Sequence, residues 1–169
     1  MAKQIIRFIL QLLFRIEVEG MENYHKAGSR VMIVANHTSL LDAVLLTIFL
    51  PNRLTFAINT QMAEKWWVRP FGQIVRLFPM DPVNPLSIKS FIKDLEQDKR
   101  AVIFPEGRIT VTGTLMKIYD GPGLIALKSG AQVLPVRIDG AQRSIFSRLK
   151  GIERRQWFPK IKLTILPPQ

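Results

Sequence analysis

Five short apolar runs punctuate the chain: VMIVA (31–35), LTFAI (54–58), AVIFP (101–105), VLPVRI (133–138) and KIKLTIL (160–166). Each has strand length and favours β-branched or aromatic residues. Between them, SLLDAVLLTIFL, PLSIKSFIKDLEQD and GPGLIALKSG carry apolar residues at helical spacing. Strands alternating with helices predict an α/β fold: a mixed, largely buried β-sheet flanked by helices. RIEVEG (15–20) is a candidate extra strand. At 169 residues and 19.4 kDa the chain forms one domain with a sizeable core. No internal repeat, low-complexity tract or linker divides residues 1–169. The closing LPPQ directly follows a strand, where Pro-Pro suits an exit into another domain. The chain therefore reads as the N-terminal part of a longer protein.

Charge narrows the partners. Twenty-four Lys and Arg face thirteen Asp and Glu, a formal net charge of +11, which calls for an anionic surface or ligand. A positive mean hydropathy of +0.12 favours a membrane surface over nucleic acid. The aromatics also lack the interleaving with basic residues that a base-stacking platform needs. No apolar run reaches the roughly 18–20 residues that span a bilayer. LLDAVLLTIFL is broken by Asp42 and stops at Pro51. The opening segment, KQIIRFILQLLFRI (3–16), is apolar apart from a narrow polar stripe at helical spacing. It reads as an amphipathic helix over residues 1–16, either packed on the domain or lying in a membrane interface. In the second case Phe8 and Leu12 enter lipid while Lys3 and Arg7 meet headgroups. Trp66 and Trp67, beside Lys65 and Arg69, fit an interfacial aromatic pair or ordinary packing equally well.

The polar residues that most need explaining lie in VANHTSLLDAVLL (34–46), where His37 and Asp42 sit in apolar surroundings. Ser39 with Asp42 matches a helix capping box, which by itself would account for the aspartate. Positions five apart on one helix diverge by roughly 140°. If His37 instead precedes the helix, the chain bend returns its ring to Asp42. A carboxylate on one ring nitrogen would then fix the tautomer and leave the other nitrogen as a base. There is no G-x-S-x-G elbow, no cysteine, no H-E-x-x-H and no phosphate-binding glycine loop. The dyad fits direct deprotonation of a substrate hydroxyl, with no metal or protein nucleophile. The second constellation is VIFPEGRIT (102–110), where a strand ends in Glu106-Gly107-Arg108. Gly107 allows close approach of backbone to ligand, and Arg108 carries the forked donor that suits phosphate. A surface turn with a Glu–Arg pair is the simpler alternative. Lys117 and Lys128 are further basic candidates, whereas His25 in MENYHKAGSR reads as an exposed loop residue.

NHTSLLD and FPEGR, in this order and followed by VLPV (133–136), closely resemble the motifs of the glycerolipid acyltransferase family of the 1-acylglycerol-3-phosphate type. The resemblance covers essentially the whole chain. It implies that His37 is the general base, that Asp42 orients it, and that Glu106, Gly107, Arg108 and Lys117 serve the acceptor's glycerol-phosphate. It also implies acyl transfer from a thioester to a lysophospholipid hydroxyl, without cofactor. Where the family carries an Asp-Arg-like second motif, this chain reads RLFPMDPVNP (76–85), with Pro82 after Asp81. That departure, with FPEGRIT, LMKIYDGPG, SRLKG and the ILPP ending, is similar to the bacterial bifunctional 2-acylglycerophosphoethanolamine acyltransferase/acyl-ACP synthetases. For that subgroup the expected acceptor is 2-acyl lysophosphatidylethanolamine, acylated at its free sn-1 hydroxyl. The expected partners are acyl carrier protein as donor and the cytoplasmic face of the bacterial inner membrane. ATP and Mg²⁺ would belong only to a following synthetase domain. The alternatives are a lysophosphatidate acyltransferase, or a basic membrane- or nucleic-acid-binding module in which Asp42 is only a cap.

Overall fold

A computed structural model describes residues 2–66, 68, 71–81, 84–114, 116–149 and 151–169. All five strongly apolar runs form strands: β2 (Val31–Ala35), β3 (Thr55–Asn59), β5 (Arg100–Ile103), β6 (Gln132–Asp139) and β7 (Lys162–Ile165). The RIEVEG segment contributes β1 (Glu17–Glu19). Residues Arg76–Met80, within RLFPMDPVNP, add β4, a strand not expected from the sequence. That strand hides its nature because it pairs with β3 alone, leaves Arg76 and Pro79 exposed and carries a proline. An edge position tolerates proline, since no second neighbour needs its missing N–H.

The strands form one seven-stranded mixed sheet in the order β1-β7-β6-β2-β5-β3-β4. From β6 to β4 all neighbours are parallel, and β7 runs antiparallel to β6. The alternating pleat of β2 explains its unbroken apolar run. Val31, Ile33 and Ala35 face one core, with Leu45, Leu46 and Phe49 of α3 (Leu41–Phe49). Met32 faces the other, with Phe91 and Leu95 of α5 (Pro85–Leu95) and Ile125 of α6 (Gly121–Ser129). Helices cover both faces, so a parallel strand here has no solvated side to mark with polar residues. MENYHK, expected to be a loop, forms the short helix α2 (Met21–Lys26), anchored by buried Tyr24 with His25 exposed. A four-residue helix, α4 (Thr60–Ala63), follows β3.

The opening helix α1 (Ala2–Phe14) docks on the α3 face of the sheet in an unexpected orientation. Its inner side is Lys3, Arg7, Leu10 and Phe14, spaced one turn apart. Lys3 Nζ donates to the Leu50 carbonyl at 2.8 Å, satisfying an acceptor at the C-terminal end of α3. The Arg7 guanidinium sits 5.3 Å from the Phe49 ring centroid. Burial, with Arg7 nearby, pushes the Lys3 ammonium below its ordinary pKa. The cations expected at headgroup level thus turn toward the domain. The outward side is apolar, with Phe8 and Leu12 each 70% exposed beside Ile5 and Ile9. Arg15, at a left-handed φ of 45°, closes the helix.

Candidate active site

The parallel strands β2 and β5 are neighbours, yet the chain leaves them in opposite directions. From β2 it crosses through α3 to β3, and from β5 through α6 back to β6. Such a divergence opens a crevice beyond the carboxyl ends of the strands. His37 and Glu106–Arg108 occupy this point.

Asn36 fixes the exit of β2. Its side-chain amide accepts from Ile138 N–H at 2.8 Å and donates to Ile138 O at 2.9 Å, so it extends the ladder onto β6. The chain then bends, and helix α3 begins only at Leu41, two residues later than Ser39. His37 therefore precedes the helix, and its Nδ1 lies 3.0 Å from Asp42 Oδ2. Asp42 is fully buried. Its carboxylate also accepts from the backbone N–H groups of Thr38 (2.5 Å) and Ser39 (2.9 Å) and from the Ser39 hydroxyl (3.1 Å). The Ser39 hydroxyl in turn accepts from Leu41 N–H at 3.1 Å. Capping and pairing with histidine are thus not alternatives, because one carboxylate does both. Its several donors compensate the burial of charge. With Nδ1–H donating to Asp42, Nε2 carries the free lone pair. The His37 ring stacks on Phe104 at 4.0 Å between centroids and 14° between planes.

Phe104 starts the second element. Gly107 N–H donates to Phe104 O at 2.9 Å, closing a tight turn in which Gly107 takes a φ of 66°, a left-handed value that favours glycine. Glu106 is buried. Its Oε1 accepts from His37 N–H and its Oε2 from Met116 N–H, both at 3.2 Å. Thr110 N–H donates to His37 O at 2.8 Å. The FPEGR turn is thus bonded directly to the histidine backbone.

A cavity of about 510 Å³ opens at this junction. His37, Val44, Phe56, Met80 and Phe104 contribute to its largely apolar wall, and exposed Leu40, Arg108, Phe146 and Arg148 mark its opening. Of the residues anticipated for acceptor binding, Gly107 and Arg108 line it. Glu106 and Lys117 do not: the first is committed to backbone donors, and the ammonium of the second lies 5.5 Å from the Tyr119 ring centroid. Trp66 is exposed, while Trp67 and Pro82 lie outside the described residues.

Some features of the site carry little signal in the sequence. Phe104 was visible within FPEGR, but its role as a platform for the ring was not. Trp157 and Phe158 are exposed, and Phe158 packs edge-on against buried Phe14, at the end of α1, with 5.5 Å between ring centroids. Their signal is WFP following two arginines. Arg148, in SRLKG, reaches the site from a loop after β6.

Known proteins share the sequence pattern and the fold. A family model described as Acyltransferase matches residues 15–139. The chloroplastic 1-acyl-sn-glycerol-3-phosphate acyltransferase of Arabidopsis thaliana is 27% identical over 143 residues, covering 82% of this chain and 40% of that protein. The 1-acyl-sn-glycerol-3-phosphate acyltransferase of Limnanthes alba is 26% identical over 161 residues, covering 90% of this chain and 54% of that protein. This chain thus spans well under two thirds of these relatives. The crystal structure of the 1-acyl-sn-glycerophosphate (LPA) acyltransferase of Thermotoga maritima superposes with a TM-score of 0.68, over 99% of this chain and 70% of that one. At 23% identity that likeness speaks for the fold alone. Fold, paired His37 and Asp42, FPEGR turn and family match converge on one conclusion: the chain belongs to the acyltransferase family.

Proposed function

We propose that this protein is an O-acyltransferase that moves a fatty acyl group from a thioester to the free hydroxyl of a lysophosphatidate-type glycerolipid. The observation that carries the proposal is the Nδ1–Asp42 contact of 3.0 Å, made by a histidine that lines a largely apolar cavity. In this mechanism His37 Nε2 takes the proton of the acceptor hydroxyl as its oxygen attacks the thioester carbonyl. The tetrahedral intermediate collapses, the C–S bond breaks, and the imidazolium returns its proton to the leaving thiolate. Asp42 stabilises the transient imidazolium, and the stacked Phe104 limits ring rotation. General base catalysis of this kind is typically worth about 10²- to 10⁴-fold. The apolar cavity suits an acyl chain, each buried CH₂ of which contributes about 0.8 kcal/mol. Arg108 at the opening suits the acceptor phosphate.

The names of the relatives favour lysophosphatidate over the lysophosphatidylethanolamine expected first from the sequence. The second acceptor keeps support from one observation, the Asp81-Pro82 pair where the resemblance would place an arginine. A phosphodiester or zwitterion needs less cationic compensation. Acyl carrier protein is the proposed donor carrier, and the positive surplus suits its acidity. A membrane surface is the proposed setting, supported by the outward apolar side of α1. Among the described residues no helix is long and apolar enough to cross a membrane. The test is acyl transfer to both lysophospholipids in mixed micelles, by wild type and His37→Ala, with acyl-ACP and no ATP. Diacyl product from wild type alone supports the reading, and the better acceptor decides between the two. Absence of product from folded, lipid-bound wild type rejects it.

A further inference from the structure

We propose that Arg148 is a second binding residue for the acceptor phosphate, acting with Arg108. This rests on the reading of the protein as a phospholipid acyltransferase and holds for either acceptor. Arg148 lies on the loop after β6, and that loop is built against the catalytic turn. Leu40 N–H donates to Phe146 O at 3.2 Å, and Ser39 pairs with Ser147 in an isolated antiparallel bridge. Arg155 donates to Ser147 O at 2.8 Å, and Leu149 N–H donates to the Ser147 hydroxyl at 3.1 Å. Ser147 and Leu149 are both buried, so the backbone is held on either side of Arg148 while its side chain is exposed at the cavity opening. The loop begins at Gly140, with φ 91°, where a Cβ would come within 2.0 Å of the Lys160 carbonyl oxygen. Only glycine allows this turn toward the site.

The second observation is electrostatic. Several arginines are engaged within the protein. Arg30 and Arg100 each bond backbone carbonyls, Arg76 and Arg137 pair with aspartates, and Arg155 holds Ser147. Among the described residues, Arg108 and Arg148 make no ion pair or hydrogen bond, yet both line the cavity that contains His37. A phosphate monoester carries about 1.5 to 2 negative charges near neutral pH, which two guanidiniums match. Their forked donors bind two oxygens at once, so two arginines on separate loops also fix headgroup orientation.

The test compares wild type, Arg148→Gln and Arg148→Lys on lysophosphatidate, lysophosphatidylethanolamine and monoacylglycerol, which lacks phosphate. For Arg148→Gln the expected result is an acceptor KM raised about 10- to 100-fold for lysophosphatidate. The rise should be smaller for lysophosphatidylethanolamine and absent for monoacylglycerol, with the KM for the thioester donor unchanged. Arg148→Lys should recover part of the loss. Equal losses on all three acceptors would mean a structural role and overturn the proposal, as would an unchanged KM for both phospholipids in an active enzyme. Wild type without transfer to any acceptor would instead reject the acyltransferase reading, and this inference with it.

Discussion

The turn that carries His37 and the helix that opens the chain are inversions of each other. In the turn, a carboxylate is fully buried, and the Thr38 and Ser39 N–H groups and the Ser39 hydroxyl point at it. In α1, Ile5, Phe8, Ile9 and Leu12 face outward while Lys3 and Arg7 turn to the protein. Each arrangement has a cost in isolation, since buried charge loses hydration and exposed hydrocarbon orders water. The turn offsets that cost internally, through its hydrogen bonds, and is complete before substrate arrives. The outer side of the helix has no such compensation among the described residues. A satisfied site and an uncompensated surface are thus told apart by whether the unfavourable group already has its partners among the described residues.

The sharpest way to break the comparison is at the histidine. His37→Ala should reduce acyl transfer by about 10²- to 10⁴-fold. Its thermal midpoint and vesicle binding should stay close to wild type, because the ring is partly exposed and the buried Asp42 carboxylate keeps the Thr38 and Ser39 N–H groups and the Ser39 hydroxyl as donors. Loss of folding together with activity would show that the turn is structural first. Asp42→Ala should do both kinds of damage. It strands the Thr38 and Ser39 donors in a buried turn, costing about 2–4 kcal/mol in chemical denaturation, and it also lowers turnover.

The helix predicts the opposite pattern. Phe8→Ser with Leu12→Ser should leave the denaturation midpoint unchanged or slightly raised, since neither side chain is buried. Sedimentation with anionic vesicles should weaken by roughly 10²-fold, from about 1.5 kcal/mol lost per side chain. Unchanged vesicle binding with a lowered midpoint would assign this surface to folding instead. The smallest expected effect refines the turn. Phe104→Leu keeps an apolar contact but removes the ring stack, and kcat should fall about 10-fold or less, in line with about 0.5–1.5 kcal/mol for an aromatic pair.

Strongly buried elements were legible in the sequence because their signal is local. β2 is an unbroken apolar run, β5 and β6 carry the apolar segments AVI and VLPV, and α3, α5 and α6 keep helical spacing. β4 and α2 were not legible. One is a half-exposed edge strand containing proline, and the other is a six-residue helix with a single buried residue, so neither produces a clear period. The positive surplus was legible as a number but not as a surface. Arg30 and Arg100 contribute to it, yet they hold backbone carbonyls within the fold.

The sequence by itself determined the α/β class and the buried sheet, and it offered the pairing of His37 with Asp42 only on condition that His37 precede the helix, where one chain bend brings ring and carboxylate together. Only the tertiary structure decided what completes the site. Phe104 and Glu106 are brought to His37 by the parallel pairing of β2 with β5, and Arg148 arrives on a loop anchored to Ser39 and Leu40. It also decided which side of α1 faces outward. An amphipathic pattern defines two sides of a helix, but the choice between them depends on long-range partners such as the Leu50 carbonyl and the Phe49 ring.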